Sequence, residues 1–497
     1  MSFQVSSTQK QTLDRILSES VSSKATPAVF FGATNVEGPI YMHTEGTSLV
    51  DDLSSGVIDE DTVFWFCSQT KLITTIAALQ LVEQGKIALD TPVETILPEL
   101  ANPVIVTEKD EAGRIKTTTP AKEKITFGQL LNHTSGLDYQ VDAASRKRTG
   151  SVGAAGLGVV YIHHYKEGEG ASKFFELLKG PHPGIPLGFE PGTNFAYGFS
   201  SDCAGFIVER ISGKSLEQYF QENIFAPLGI KSMSFSLRPE LEKRLLPLTF
   251  RHNDRSLEQW KGPDVVEQDR THVTVNLGGA GLYGSQKDYL TILRHLLQIK
   301  AGTANNPILS RTMVDNMFTP SLPVAGANTI SAMINMFQPS LGFPSGSAQF
   351  GYGLSLHSEA GSPAPSARFS EPSASHRPEA SRGLDKGRQR GDARISEERV
   401  ASAGRLANGR LASPPLASRR LNAVSVSTRR MFQENGEMGL VIVSFLLSLR
   451  GGWANTTYFV DPTAGVAAVF GTQLVPTGDR MFDAKMDELE RALYVEL

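Results

Sequence analysis

Ser68-Gln69-Thr70-Lys71 puts a hydroxyl and an amine three residues apart, where the strand-like run TVFWFC gives way to the apolar stretch KLITTIAALQLVEQGKI. On a helix, residues three apart share a face, so Ser68 Oγ and Lys71 Nζ can meet. A helix N-terminus also offers free backbone N–H groups and the positive end of the dipole, which favour developing negative charge. A serine is a poor nucleophile until a neighbouring base takes its proton. A lysine can be that base only when desolvated or close to other cationic influence. Taken by itself, Ser-x-x-Lys is a weak pattern, satisfied equally by a helix cap followed by a surface lysine.

Two further segments carry candidate chemistry. Tyr197 lies in FEPGTNFAYGFSSDCAGFIVERISG, after a Pro191-Gly192 turn and just ahead of a helix whose Ala204, Ile207, Val208 and Ile211 are candidates for burial. To act as a base near pH 7, a tyrosine needs a pKa depressed by about three units, or about 4 kcal/mol. A nearby Lys71 ammonium can supply part of that. The competing reading is a core ring with a capped hydroxyl. Gly451-Gly452-Trp453 stands between two strand-like runs. Paired glycines let a backbone approach a ligand closely and aim N–H groups at an oxyanion. A plain hairpin turn fits the same residues.

The elements that must position these groups follow from periodicity. Residues 8–22 predict a helix, with Leu13, Ile16 and Leu17 at helical spacing. PAVFFGATN and PIYMHTEG predict two strands joined at Val36-Glu37-Gly38. In the helix after Ser68, Leu72, Ile76, Leu79 and Val82 mark one face, and Gly85 closes it. Residues 86–270 read as mostly helical with long loops. NLGGAGLYGS predicts a glycine-rich turn, KDYLTILRHLLQ an amphipathic helix, and TTYFVDPTAGVAAVFGTQLV two strands about Asp461-Pro462, followed by a helix near 479–496.

Residues 358–430 are dense in Ser, Ala, Arg, Pro and Glu, with Phe369 as the sole aromatic. Such a composition cannot bury enough apolar surface to offset chain entropy, so a disordered insertion is expected. Acidic residues are mixed throughout and no aromatics interleave, which argues against a nucleic-acid-binding arm. The composition of the whole 497-residue chain is ordinary for a globular protein, with 40% hydrophobic and 20% charged residues and a net charge of −4. Neither nucleic acid nor a membrane is implied as a partner: there is no basic footprint, and the longest apolar run, Gly439 to Leu449, is too short to span a bilayer. Two cysteines, Cys67 and Cys203, rule out a disulfide framework. Cys67 reads as a small buried residue. The polar N-terminal stretch makes the cytoplasm the expected location. His-Glu-x-x-His, Cys-x-x-Cys and Gly-x-Ser-x-Gly are all absent, and no metal or cofactor is implied.

SQTK at 68–71, ITFGQLLNHTSGLDY at 125–139, EPGTNFAYG at 190–198, GGAGLYGSQKDYL at 278–290 and GGWANTTYFVDPTAGVAAVFGTQLVP at 451–476 together form an ordered set. This set resembles the serine β-lactamase, penicillin-binding protein and esterase superfamily, in particular its class C-like branch with fungal acyltransferases of the lovastatin type. The resemblance implies an antiparallel sheet with flanking helices (residues 1–75 and 275–497) and an inserted, mostly helical domain (76–274). It makes Ser68 the acylated nucleophile, activated by Lys71 with Tyr197. The N–H of Ser68 and one from 451–453 would form the oxyanion hole, and His133 would hold a loop.

Two departures bear on substrate. Phe199 stands where β-lactamases of this branch carry Asn, and Gly451-Gly452-Trp453 replaces Lys-Thr-Gly. The missing lysine and Asn argue against efficient β-lactam hydrolysis, while Phe199 and Trp453 suit a hydrophobic acyl chain. The expected reaction is acyl transfer from an ester or thioester donor to an alcohol, in fungal secondary metabolism, with an acyl-carrying synthase as a candidate partner. A carboxylesterase or β-lactamase-type hydrolase, and a non-catalytic binding descendant, remain as alternatives.

Overall fold

The sheet draws its strands from both ends of the chain. The computed structural model describes residues 3–141, 160–262, 266, 268–341, 346–359 and 451–494. All of them fall in one unit spanning 1–365 and 435–497. The insertion expected at 358–430 lies outside the described residues except for Ser358 and Glu359, which end a short strand. The apolar run at 439–449 also lies outside them.

Helix α1 (Ser7–Ser22) starts at a capping box, in which Ser6 and Gln9 satisfy each other's backbone N–H groups. Strands β1 (Ala28–Thr34), β2 (Pro39–Leu49) and β3 (Asp52–Val57) follow. The side chain of Asn35 accepts from the Glu37 and Gly38 amides to close the first turn. From the other end of the chain come β6 (Gly451–Gly452), β7 (Thr456–Asp461), β8 (Val466–Gly471) and helix α5 (Arg480–Tyr494). The sheet order is β6-β7-β8-β1-β2-β3, antiparallel throughout.

Every residue of β1 is buried because both faces are covered. Val29, Phe31 and Ala33 pack with Leu13 and Leu17 of α1 and with Phe482, Leu489 and Leu493 of α5. Ala28 and Phe30 face the main core, which includes Leu290 and Leu293 of α4 (Gln286–Ala301). Each phenylalanine buried this way contributes roughly 1.5–3 kcal/mol.

The Ser68 segment sits between this sheet and the helices. Strand β4 (Val63–Trp65) pairs antiparallel with β5 (Tyr283–Ser285), and helix α2 (Thr70–Glu83) follows. The structure corrects the expectation of a one-sided α2: residues 70–81 are buried all round. Two of its buried threonines are hydrogen-bonded, Thr74 Oγ1 donating to the Gly278 carbonyl (2.7 Å) and Thr75 Oγ1 to that of Lys71 (2.9 Å). Helix α3 (Ser200–Ser212) packs on α2. A hairpin, Val104–Lys109 with Ile115–Pro120, interrupts the region read as helical. It is largely exposed, so its threonine- and lysine-rich strands carry little apolar alternation.

Candidate active site

A tight turn, Cys67–Gln69, joins β4 to α2. Cys67 holds φ at 46°, a left-handed conformation uncommon for any residue but glycine. The turn is fixed on one side by the Phe66 amide donating to the Leu282 carbonyl (2.9 Å). It delivers Ser68 to the head of α2, and the helix places Lys71 one turn on. Lys71 Nζ donates to Ser68 Oγ at 3.1 Å and to the Gly279 carbonyl at 2.7 Å. Ser68 keeps 9% of its surface exposed, and Lys71 6%.

Tyr197 arrives from 129 positions further along the chain and still shares a hydrogen bond with the Ser68 hydroxyl. Its segment is locked against residues 133–139: the Ala196 amide donates to the His133 carbonyl (3.0 Å). Gly198 allows this approach, since a Cβ there would stand 1.7 Å from the Leu137 carbonyl oxygen. The Lys71 ammonium sits 4.6 Å from the Tyr197 ring centroid. Ser68, Lys71 and Tyr197 are thus brought together.

Burial brings the Lys71 pKa down to about 8, against the pull of the Asp202 carboxylate. Tyr197 moves the other way. Burial pushes its phenol well above the ordinary value, and the hydrogen bond with Ser68 opposes this only in part. The depressed tyrosine considered from the sequence is therefore not realised: at neutral pH this residue is a neutral phenol, and the amine is the group able to accept a proton. The physical reason is that a phenolate here would be a charge taken out of water, a cost larger than its surroundings return.

The 451–453 strand also reaches the site. The Thr456 hydroxyl donates to the Phe66 carbonyl (3.4 Å), and β6 lies beside the Cys67–Gln69 turn. The amides of Trp453 and Ser68 both act as donors toward the Cys67 sulfur, which itself lies 3.9 Å from Ser68 Oγ. Gly451 and Gly452 pair with Thr457 and Thr456. The indole of Trp453 is 3% exposed and packs at 6.2 Å on Trp65. Phe199 is 1% exposed and lies edge-on to Tyr139 (4.7 Å) within a cluster that includes Tyr161 and Phe174. That corrects its expected place as a lining residue: it supports Tyr139 from behind, because helix α3 starts there and turns the ring into the core.

His133 is also more closely engaged than a loop-holding residue needs to be. Its ring lies 4.9 Å from that of Tyr197, and its Nδ1 is buried without a hydrogen-bond partner. Burial, with a smaller push from Lys71, brings its pKa down to about 3. Asp202 was not singled out from the sequence. It stands in the first turn of α3, fully buried, and accepts from the Gly279 amide (2.8 Å) and the Tyr161 hydroxyl (2.6 Å). The available signal was an acid set among the small and apolar residues of SSDCAGFIV.

The family model described as Beta-lactamase matches residues 13–492. The chain belongs to the β-lactamase family. Relatives within reach of its sequence include an acyltransferase (calJ) of Penicillium decumbens, 34% identical over 53% of this chain and 58% of its own length. Monacolin J acid methylbutanoyltransferase of Aspergillus terreus is 32% identical over 53% and 58%. Lovastatin esterase of Penicillium rubens is 33% identical over 56% and 65%. The chain thus spans less than two thirds of the length of each of these relatives. Simvastatin synthase of Aspergillus terreus superposes with a TM-score of 0.66 at 24% identity, covering 98% of both chains. At that identity the likeness shows the β-lactamase-like fold, an antiparallel sheet with flanking helices, as expected. Among the described residues no helix is long and apolar enough to cross a membrane.

Proposed function

We propose that this β-lactamase-family chain is a serine acyltransferase, moving an acyl group from an ester or thioester through an acyl-Ser68 intermediate to an alcohol. The observation that carries the reading is the 3.1 Å contact between Lys71 Nζ and Ser68 Oγ, made by an amine whose pKa burial brings to about 8. About a tenth of such an amine is neutral at pH 7, enough to serve as a general base.

In the first half-reaction Lys71 takes the Ser68 proton, and Oγ forms a bond to the acyl carbon. The carbonyl oxygen becomes an oxyanion, for which the amides of Ser68 and Trp453, both directed at the adjacent Cys67 sulfur, are the candidate donors. As the tetrahedral centre collapses, the bond to the donor alkoxide or thiolate breaks. The leaving group recovers the proton from Lys71, with the neutral Tyr197 phenol as a relay and orienting donor. In the second half an acceptor alcohol gives its proton to Lys71 and attacks the acyl carbon; the bond to Ser68 Oγ then breaks and Oγ takes that proton back from Lys71.

The names of the fungal acyltransferase relatives support transfer. One relative named as an esterase supports a hydrolytic variant, in which water replaces the alcohol. Lactam hydrolysis gains no support, since no Lys-Thr-Gly is present. The test is incubation with p-nitrophenyl butyrate with and without excess alcohol. Partition into the new ester is expected, and release of acid alone refutes transfer. Intact mass should show one acyl adduct in the wild type and none in Ser68→Ala. Absence of any adduct in the wild type would leave a binding-only descendant.

A further inference from the structure

Lys71 depends on groups beyond the three discussed so far. Its second hydrogen bond goes to the Gly279 carbonyl at 2.7 Å. The same residue's amide donates to Asp202 Oδ1 at 2.8 Å. Gly279 is therefore clasped on both sides, by the amine through its carbonyl and by the acid through its amide. The packing leaves no slack: a Cβ on Gly279 would stand 2.6 Å from Asp202 Oδ2. The neighbouring Gly278 carbonyl is held by Thr74 of α2. The GGAG segment, read from sequence as a plain turn, is a strap between α2 and α3.

Burial pushes the Asp202 carboxyl above its ordinary value, and Lys71, the Tyr161 hydroxyl and the Gly279 amide oppose that rise by favouring its charged form. Both of its oxygens accept, Oδ1 from the Gly279 amide and Oδ2 from the Tyr161 hydroxyl (2.6 Å), while Tyr139 and Tyr161 share a hydrogen bond at 3.0 Å. It lies in the first turn of α3, where the helix dipole favours negative charge. It is fully buried, and the attraction between it and Lys71 is mutual. The other groups facing Lys71 are Ser68 and Cys67 from its own turn, and Tyr197, Tyr139 and His133 from the loops, each neutral at pH 7.

We infer that Asp202 is a positioning residue for the acyl transfer: its carboxylate fixes the Gly278–Gly279 strap that seats Lys71 and supplies the buried negative charge facing that amine. This rests on the reading of Ser68 and Lys71 as nucleophile and base. Asp202 touches neither substrate nor Ser68. It decides where the amine sits and at what pH it gives up its proton.

The experiment is the pH dependence of Ser68 acylation by p-nitrophenyl butyrate in the wild type and in Asp202→Asn, each followed by intact mass. The Asn side chain can still pair with both Gly279 and Tyr161, so it removes charge while keeping shape. Without its counter-charge the amine loses its proton more easily, and the acid limb of the profile is expected to fall by about one pH unit. The plateau rate is expected to drop roughly tenfold with KM within about twofold, a split that marks a weaker base and not lost substrate binding. A uniformly slower enzyme with an unmoved limb, or an unchanged rate and limb, overturns the inference. A wild type that forms no adduct at all overturns the functional reading instead. Should the Asn protein fail to fold, Tyr161→Phe removes the donor that orients the carboxylate. It is expected to slow acylation at least about threefold, and a wild-type rate in that variant overturns the inference.

Discussion

The Lys71 amine lies 3.1 Å from the Ser68 hydroxyl while both are more than nine-tenths buried. Close contact in a desolvated setting changes what the pair can do. In water a lysine at pH 7 is almost wholly protonated and accepts nothing. Here burial makes the neutral form accessible, and helix geometry aims it at the serine.

The first consequence is a pH profile. Only the neutral amine is a base, so kcat/KM should rise with pH through a midpoint near 8 and level off above it. Lys71→Arg keeps a cation that never deprotonates near neutrality, and is expected to lose at least about 10³-fold in kcat/KM across the whole range. Stopped-time assays with a p-nitrophenyl ester between pH 6 and 9 check both.

Tyr197 contributes a hydroxyl and a ring, and these separate experimentally. Tyr197→Phe removes the hydrogen bond with Ser68 and keeps the contact with His133. Activity should fall by about 10²-fold or more, as for a lost proton-relay group, with little change in Tm. A variant that melts much earlier would mean the hydroxyl serves mainly the fold.

His133 ties the site to acid stability. Its pKa in the folded protein is about 3, below the ordinary 6.5, so between those values the unfolded chain binds a proton that the native protein refuses. Stability therefore falls as pH drops from about 6.5 toward 3, by on the order of 5 kcal/mol in total from this residue. Urea unfolding across that window should show a slope in the wild type that is shallower by one proton in His133→Phe.

Asp483 has the opposite sign. This buried carboxyl of α5 is pushed up to about 8 by burial and by the nearby Asp479 and Asp487, and its Oδ2 has no hydrogen-bond partner. The native protein holds a proton that the unfolded chain releases above pH 3.8, so stability is lost as pH rises toward 8. Asp483→Asn removes that cost. It is expected to be more stable than the wild type by about 1–3 kcal/mol at pH 7.5, with the gap closing toward pH 4. Thermal melts at the two pH values test this without reference to activity.

What the sequence settled by itself was local. Ser68 and Lys71 face one another because the helix repeat sets residues three apart on one side, and that repeat needs no tertiary contact. Helices α1, α4 and α5 and the strands about Asp461 followed from apolar periodicity and a turn for the same reason. Tertiary structure decided the rest. It brought Tyr197 to Ser68, turned Phe199 into the core, enclosed α2 on every side, and set Asp202 against the strap that seats Lys71. It also fixed the protonation states, lowering the lysine and raising the tyrosine. Desolvation and charge–charge energies sum over everything packed around a group, and residues hundreds of positions apart supply those neighbours.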